Sequence, residues 1–167
     1  AMSSFLPDVL TRIGEALGLS AQARRQALAG SLLLSADNGH AVHPNFPEKA
    51  DPANKVYPNG GVVIKYSANQ KYTTTGLTAG LFQAICQKAG VPVQVFANRA
   101  DEPGGSTLGN LLGHQVSIPM VDIGMAQLAM HSAVETAGSR DPEYMARACA
   151  AFFQAEFTQT ADGVYQF

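Results

Sequence analysis

Apolar positions recur along the chain in two periods, one helical and one of strands, and their order sets out the elements. Phe5, Leu6, Val9, Leu10, Ile13 and Leu17 repeat at helical spacing, with Pro7 near the start, where its missing N–H costs little, and Gly18 at the close. Ser20 suits the N-cap of a second helix that runs to about Ala29 and stops at Gly30. The apolar run Leu32–Leu34 predicts a short buried strand over Leu32–Asp37. Asn38 to Gly61 holds Pro44, Pro47, Pro52 and Pro58 and reads as a loop; loops this long are more often functional than idle. Val62–Tyr66 predicts a second strand, and Thr74 or Thr75 can cap a helix to about Lys88 with Gly90 at its C′ position. Val91–Phe96 predicts a third strand. The turn Pro103–Thr107 leads into a short helix, where Gly105, Gly109 and Gly113 suit close packing on a sheet. Ile118–Gly124 predicts a fourth strand. Asp141–Pro142–Glu143 opens a final helix with Met145, Ala148, Cys149, Phe152 and Phe153 on one face. Strands alternating with helices predict one layered α/β domain over residues 1–167 with a largely parallel sheet.

Composition narrows this picture. Apolar residues make up 46% and charged residues 14% of 167, which is a globular chain with substantial surface buried within it or meant for a partner. A net charge of −2 without a basic patch argues against a nucleic-acid partner, and Arg24–Arg25 reads as a solvated helix face. Cys86 and Cys149 lie far apart in helical patterns and read as buried, reduced thiols. No basic flank precedes an apolar signal core and no apolar run is long enough to span a bilayer, so the expected address is cytoplasmic with no membrane contact. Ala1–Met2 reads as a cloning remnant ahead of an initiator Met.

The densest candidate chemistry is Ser35–Asn45, with one carboxylate and two imidazoles within seven residues. A strand ending in Asp37 delivers that carboxylate to a sheet edge, where ligands of open α/β sheets bind. His131, just past the fourth strand, is a second candidate ligand; Asp and His suit zinc or manganese. From spacing alone the pair reads first as a turn-capping Asp and an unrelated His. His40 and His43 are three apart without the Glu of the zinc-peptidase helix motif, so metal, substrate and structural roles stay open. Lys65 interrupts an apolar strand; buried, it must find a negative partner or lose its proton, and solvent-facing it is ordinary. Gly105, Ser106 and Thr107 precede a helix, so their backbone N–H groups can hold an oxygen anion. The serine-hydrolase elbow and the P-loop patterns both fail here.

Four blocks in order and spacing then resemble one family. They are Ser35-Ala-Asp-Asn-Gly-His-Ala-Val-His-Pro-Asn45, Val63-Ile-Lys-Tyr-Ser-Ala-Asn-Gln-Lys-Tyr-Thr73, Gly105-Ser-Thr-Leu-Gly109 and Met130-His-Ser132. Together they are similar to the aspartyl aminopeptidases, the M18 metallopeptidases, from Ser4 to Phe153. The resemblance implies a layered α/β/α zinc-peptidase-like domain with a mostly parallel sheet. It implies that Asp37 ligates one metal of a two-zinc site and His131 the other, with manganese or cobalt as alternatives. It implies that Lys65 pairs with the acidic side chain of a substrate's N-terminal Asp or Glu. His40, Tyr72 and the Gly105–Ser106–Thr107 turn then line the substrate pocket, and His43 gives structural support. Such enzymes use two metals about 3.5–4 Å apart to polarise the peptide carbonyl and activate water.

The departures from the family bear on what this chain does. The family's remaining His, bridging Asp and Glu–Glu pair have no counterpart here, so no catalytic general base is assigned, and the dimerisation domain has none either. Lys71 stands where an Arg is usual and Gly104 where a Cys is usual. The expectation is a C-terminal part of a catalytic domain, incomplete at its N-terminal side and inactive alone. Its expected partners are peptides with acidic N-termini and further copies of itself or a complementing N-terminal half. The alternative is a non-catalytic fragment that keeps the fold and acts by association.

Overall fold

In a computed structural model, which describes residues 2–161 and 163–166, most of the expected elements form. Ala1, expected to be a cloning remnant, lies outside the described residues. Helix α1 spans Phe5–Ala16 and α2 spans Ala21–Ala29, capped by Ser20, whose hydroxyl accepts from the Ala23 N–H at 3.1 Å. Strand β1 covers Leu33–Ala36, and β2 covers Gly39–His40. The expected loop from 38 to 61 thus holds a strand, and it also holds a 3-10 turn at Pro47–Lys49. Strand β3 is Val62–Tyr66 and helix α3 is Gly76–Lys88; Thr75, not Thr74, caps the helix in a reciprocal box with Thr78. Strand β4 (Val93–Ala97), helix α4 (Leu108–Gly113) and strand β5 (Met120–Gly124) follow. Strands β6 (Ala126–Leu128) and β7 (Thr136–Ala137) precede helix α5 (Asp141–Gln154), and a hairpin of β8 (Thr158–Ala161) and β9 (Val164–Gln166) follows it.

The main sheet has the order β1-β5-β3-β4. Its outer pairs are parallel, β1 with β5 and β3 with β4, whereas β3 and β5 run antiparallel in the middle. The sheet is therefore mixed. A strand buried on both faces reads as the same apolar run in either direction, so hydropathy carries no sign of this reversal. The chain continues from β1 into β2, and Gly39 and Ala41 donate to the Met125 and Gln127 carbonyls, so one long edge from Leu33 to Ala41 follows residues 119–127.

Alternation along the strands makes two faces. Val62 and Ile64 of β3 and Val121 and Ile123 of β5 pack with Ala79, Phe82 and Cys86 of α3 and Ala148 of α5. Val63, Tyr72, Phe96, Ala41 and Val56 form a smaller cluster on the other side. The layers are thus α/β/α, with α3 and α5 on one face and α4 with the 41–56 segment on the other. Phe153 departs from the expected apolar face of α5 and stands 83% exposed, while Ala148 is buried. No described helix is long and apolar enough to cross a membrane.

The thiols differ in burial: Cys86 is buried and Cys149 half-buried. Desolvation pushes the Cys86 thiol up to about 12 and raises Cys149 as well. Since the thiolate is the reactive form, Cys149 should alkylate at pH 8 at least about tenfold faster than Cys86 in the native chain. Peptide mapping after timed iodoacetamide treatment reads this, and equal rates would contradict the packing of α3 on the sheet.

Candidate active site

A row of polar side chains crosses the second face of the sheet. The register pairs Ser35 with Asp122 and Lys65 with Phe96, and the antiparallel pairing of Ile64 with Ile123 brings Lys65 into line with Asp122. Asp122 is 0% exposed and accepts four hydrogen bonds. One carboxylate oxygen takes the Ser35 hydroxyl at 2.6 Å and the Thr107 hydroxyl at 2.5 Å. The other takes the Thr73 N–H at 2.6 Å and the Thr73 hydroxyl at 2.8 Å. The Asp122 N–H donates to the Thr74 hydroxyl, and the Ser35 hydroxyl in turn accepts from the Gly109 N–H at 2.8 Å. A Cβ on Gly109 would lie 3.0 Å from both Asp122 oxygens, so the glycine lets α4 approach this close. Of the three glycines expected to press α4 onto the sheet, Gly109 does so; Gly105 faces open space.

Lys65, 1% exposed, lies next in the row. Its ammonium donates to the Asp37 backbone carbonyl at 2.7 Å and stands 5.2 Å from the centre of the Tyr72 ring. Burial pushes its pKa down, and the charges of Asp37 and Asp122 offset this only in part. No carboxylate lies within ion-pair distance of it among the described residues. Tyr72 packs against Phe96 with ring centres 6.3 Å apart and accepts a long hydrogen bond from the Asn98 amide. Burial raises the Tyr72 phenol, which the Asn98 contact opposes. Lys71, in the place of an expected Arg, donates to the Gly104 carbonyl at 2.6 Å and so ties the 104–107 turn to the segment after β3.

Asp37 directly follows β1, and its backbone is clamped between Lys65 and β5. A Cβ on Gly124 would fall 2.0 Å from the Asp37 carbonyl oxygen, so only glycine admits this crossing. The Asp37 side chain is exposed, as is His40 at the end of β2. His40 and His43 line a cleft of about 270 Å³ with Phe46, Phe96, Asn98 and Arg99. Within it His43 accepts from the Asn45 N–H and packs against Phe46, 5.2 Å between ring centres. His131 sits in a turn after β6, in the left-handed backbone region at φ 67°, and its N–H donates to Glu135 at 2.6 Å. A non-glycine residue held there costs free energy, of order 1 kcal/mol, and such outliers gather at functional sites.

Among the described residues no three His, Cys, Asp or Glu side chains come together to hold a metal ion. A zinc site needs three or four protein ligands, so these side chains by themselves do not fit the metal. Asp122, Asn98 and Glu135 were not singled out from sequence. For Asp122 the signal was present: a carboxylate inside Met120–Ile123 poses the same problem as Lys65 inside Val62–Tyr66.

The model of the family described as Aminopeptidase I zinc metalloprotease (M18) matches residues 1–153. The chain belongs to the M18 aminopeptidase family. A probable M18 family aminopeptidase 2 of Mycobacterium tuberculosis is 44% identical over 159 residues, 95% of this chain and 37% of the relative. One of Clostridium acetobutylicum is 43% identical over 153 residues, 92% of this chain and 35% of the relative. Among solved structures, the complex of Ape4 with Nbr1 superposes with a TM-score of 0.88 at 41% identity, covering 92% of this chain and 29% of that one. The dodecamer of mApe1 from S. cerevisiae superposes at 0.77 and 27% identity, covering 90% of this chain and 33% of that one. The M18 chain thus spans little more than a third of the length of the curated relatives it matches.

The Asp122 hub makes a direct prediction. Asp122→Ala leaves four hydroxyl or amide donors of Ser35, Thr107 and Thr73 without their acceptor in a closed space and should cost about 3 kcal/mol or more. Urea unfolding measures it, and a loss below about 0.5 kcal/mol would remove Asp122 from its central place.

Proposed function

We propose that this chain is part of the catalytic domain of a zinc aminopeptidase that removes Asp or Glu from the N-terminus of peptides. The observation that carries the acidic preference is Lys65. A buried ammonium whose close partners among the described residues are a carbonyl and an aromatic face is costly, because burial disfavours its charge. A carboxylate arriving with the substrate would meet that charge in a poorly solvated place, where the interaction is stronger than in water. In this reading the Lys65 ammonium receives the acidic side chain, and Tyr72 and His40 wall the pocket. The backbone of Gly105, Ser106 and Thr107, fixed through Thr107 to Asp122 and through Gly104 to Lys71, orients the peptide. The contacts of His43 with Asn45 and Phe46 support a structural role for it.

Asp37 and His131 each contribute one ligand to a two-metal centre, zinc first with manganese or cobalt as alternatives. The further ligands and the general base come from polypeptide outside this chain. The metal supplies carbonyl polarisation and a nucleophilic water when bound. The assembled enzyme is a cytoplasmic homo-oligomer in this proposal, and its catalytic domain extends beyond residues 1–167.

The test is peptide selectivity. In the assembled enzyme containing this chain, Lys65→Met should lower the preference for Asp-peptides over Ala-peptides, read as a ratio of kcat/KM, by roughly tenfold or more while zinc content stays constant. Unchanged selectivity removes Lys65 from the pocket and with it the acidic preference.

A further inference from the structure

An asparagine followed by glycine is the pair in which a backbone nitrogen reaches a side-chain amide most readily, because glycine puts no side chain in the way. The chain has this pair twice, at Asn38–Gly39 and Asn59–Gly60, and the fold treats the two differently. Gly39 is buried in β2 and donates its N–H to the Met125 carbonyl at 2.9 Å. The Asn38 Oδ1 accepts from the Met125 N–H at 3.1 Å, so both reacting groups of that pair are tied to the junction of β5 and β6. Asn59 instead lies exposed in the turn ahead of β3, with its backbone in the left-handed region at φ 64°. The Gly60 N–H closes that turn on the Tyr57 carbonyl at 3.2 Å, and the Gln94 amide competes for the same carbonyl at 2.9 Å. The Asn59 Oδ1 accepts the Arg140 N–H at 2.8 Å, at the N-cap of α5. A donor on that oxygen draws charge from the amide carbon and stabilises the oxyanion that forms when a nucleophile adds to it.

We infer that Asn59–Gly60 is a self-modification site, where the folded chain converts its own asparagine to aspartate and isoaspartate. The Gly60 nitrogen adds to the Asn59 Cγ, the Cγ–Nδ2 bond breaks, and the proton lost from Gly60 leaves with the amide nitrogen as ammonia. Water then opens the resulting cyclic imide at either carbonyl. One opening leaves aspartate at position 59, and the other leaves isoaspartate, with the main chain lengthened by one methylene. The product bears on the packing. Asp141 is 1% exposed; its Oδ2 accepts the Asn59 N–H at 2.9 Å and the Gly138 N–H at 3.2 Å, and its Oδ1 has no partner among the described residues. A Cβ on Gly138 would lie 2.4 Å from the Asp141 Oδ2 and 2.6 Å from the Asn59 Oδ1, so both oxygens crowd around one glycine. A new carboxylate at position 59 therefore arrives beside a buried one that is already short of donors, and like charges repel there. The lengthened main chain also carries the Asn59 N–H away from Asp141 and the side chain away from Arg140. Conversion thus unlatches the loop ahead of β3 from the N-terminus of α5. This holds whatever reaction the chain takes part in.

The experiment incubates the whole chain at mildly alkaline pH, once without denaturant and once in urea. Peptide mapping with tandem mass spectrometry follows both pairs over time and separates isoaspartate from aspartate. Without denaturant, Asn59 should convert at least about tenfold faster than Asn38, because Gly39 reacts only after β2 opens. In urea the two should convert at rates within about threefold of each other, since neither is then held. A ratio below about tenfold without denaturant overturns the site, as does conversion of Asn59 that the fold slows more than about tenfold against urea. A ratio that persists in urea belongs to the flanking sequence and overturns the role of the fold. Unlatching is read by amide exchange with residue resolution. After conversion the Arg140 amide should exchange at least about tenfold faster than before. Asn59→Gly keeps the left-handed turn, lacks the acceptor and should free the Arg140 amide in the same way, with no conversion at position 59. Arg140 exchange that conversion leaves unchanged overturns the unlatching, and a protected Arg140 in a folded Asn59→Gly variant overturns the assistance from α5. If that variant unfolds, the converted chain decides alone.

Discussion

A carboxylate in the middle of an apolar strand must be answered with hydrogen bonds from its surroundings, and the answers to Asp122 arrange much of this molecule. Ser35 comes from β1, Thr73 from the segment before α3 and Thr107 from the cap of α4. Each of these is therefore fixed with respect to β5, and with them the end of β1, the ring of Tyr72 and the turn at 105–107. Lys65 occupies the next place in the same row and is close enough for the charge of Asp122 to act on it. The hub thus turns four separate stretches of sequence into one rigid wall. Fully satisfied buried polar groups of this kind specify a single arrangement because every alternative leaves donors unpaired.

The helices were legible because their signals are local. Ser20 caps α2, Asp141–Pro142–Glu143 opens α5, and Gly18 and Gly90 close α1 and α3 in the left-handed conformation that glycine favours. The strands β1, β3, β4 and β5 were legible as apolar runs, but the direction of β5 was not, since direction depends on how distant segments pair. Strands β6 and β7 span only three and two residues, and no period of two emerges over so few positions. Nor does any local pattern announce that Gly124 exists to let the Asp37 backbone cross β5, because the clash is with a residue 87 positions away.

For the site, the residues themselves point to Asp37 and His131 as candidate ligands and to Lys65 as an oddity in its strand, and the family resemblance assigns each a role. The fold places Lys65 against the Asp37 backbone carbonyl and the Tyr72 ring. It places His131 in a separate, exposed turn held by Glu135.

In the proposal above, this chain holds part of a catalytic constellation and not the whole. The most direct measurement is chelator-sensitive release of N-terminal Asp from a short peptide by the isolated chain, with zinc or manganese supplied. The account predicts no release above the uncatalysed rate. Clear release that a chelator stops and His131→Ala abolishes would contradict it, because the chain would then complete its own metal site.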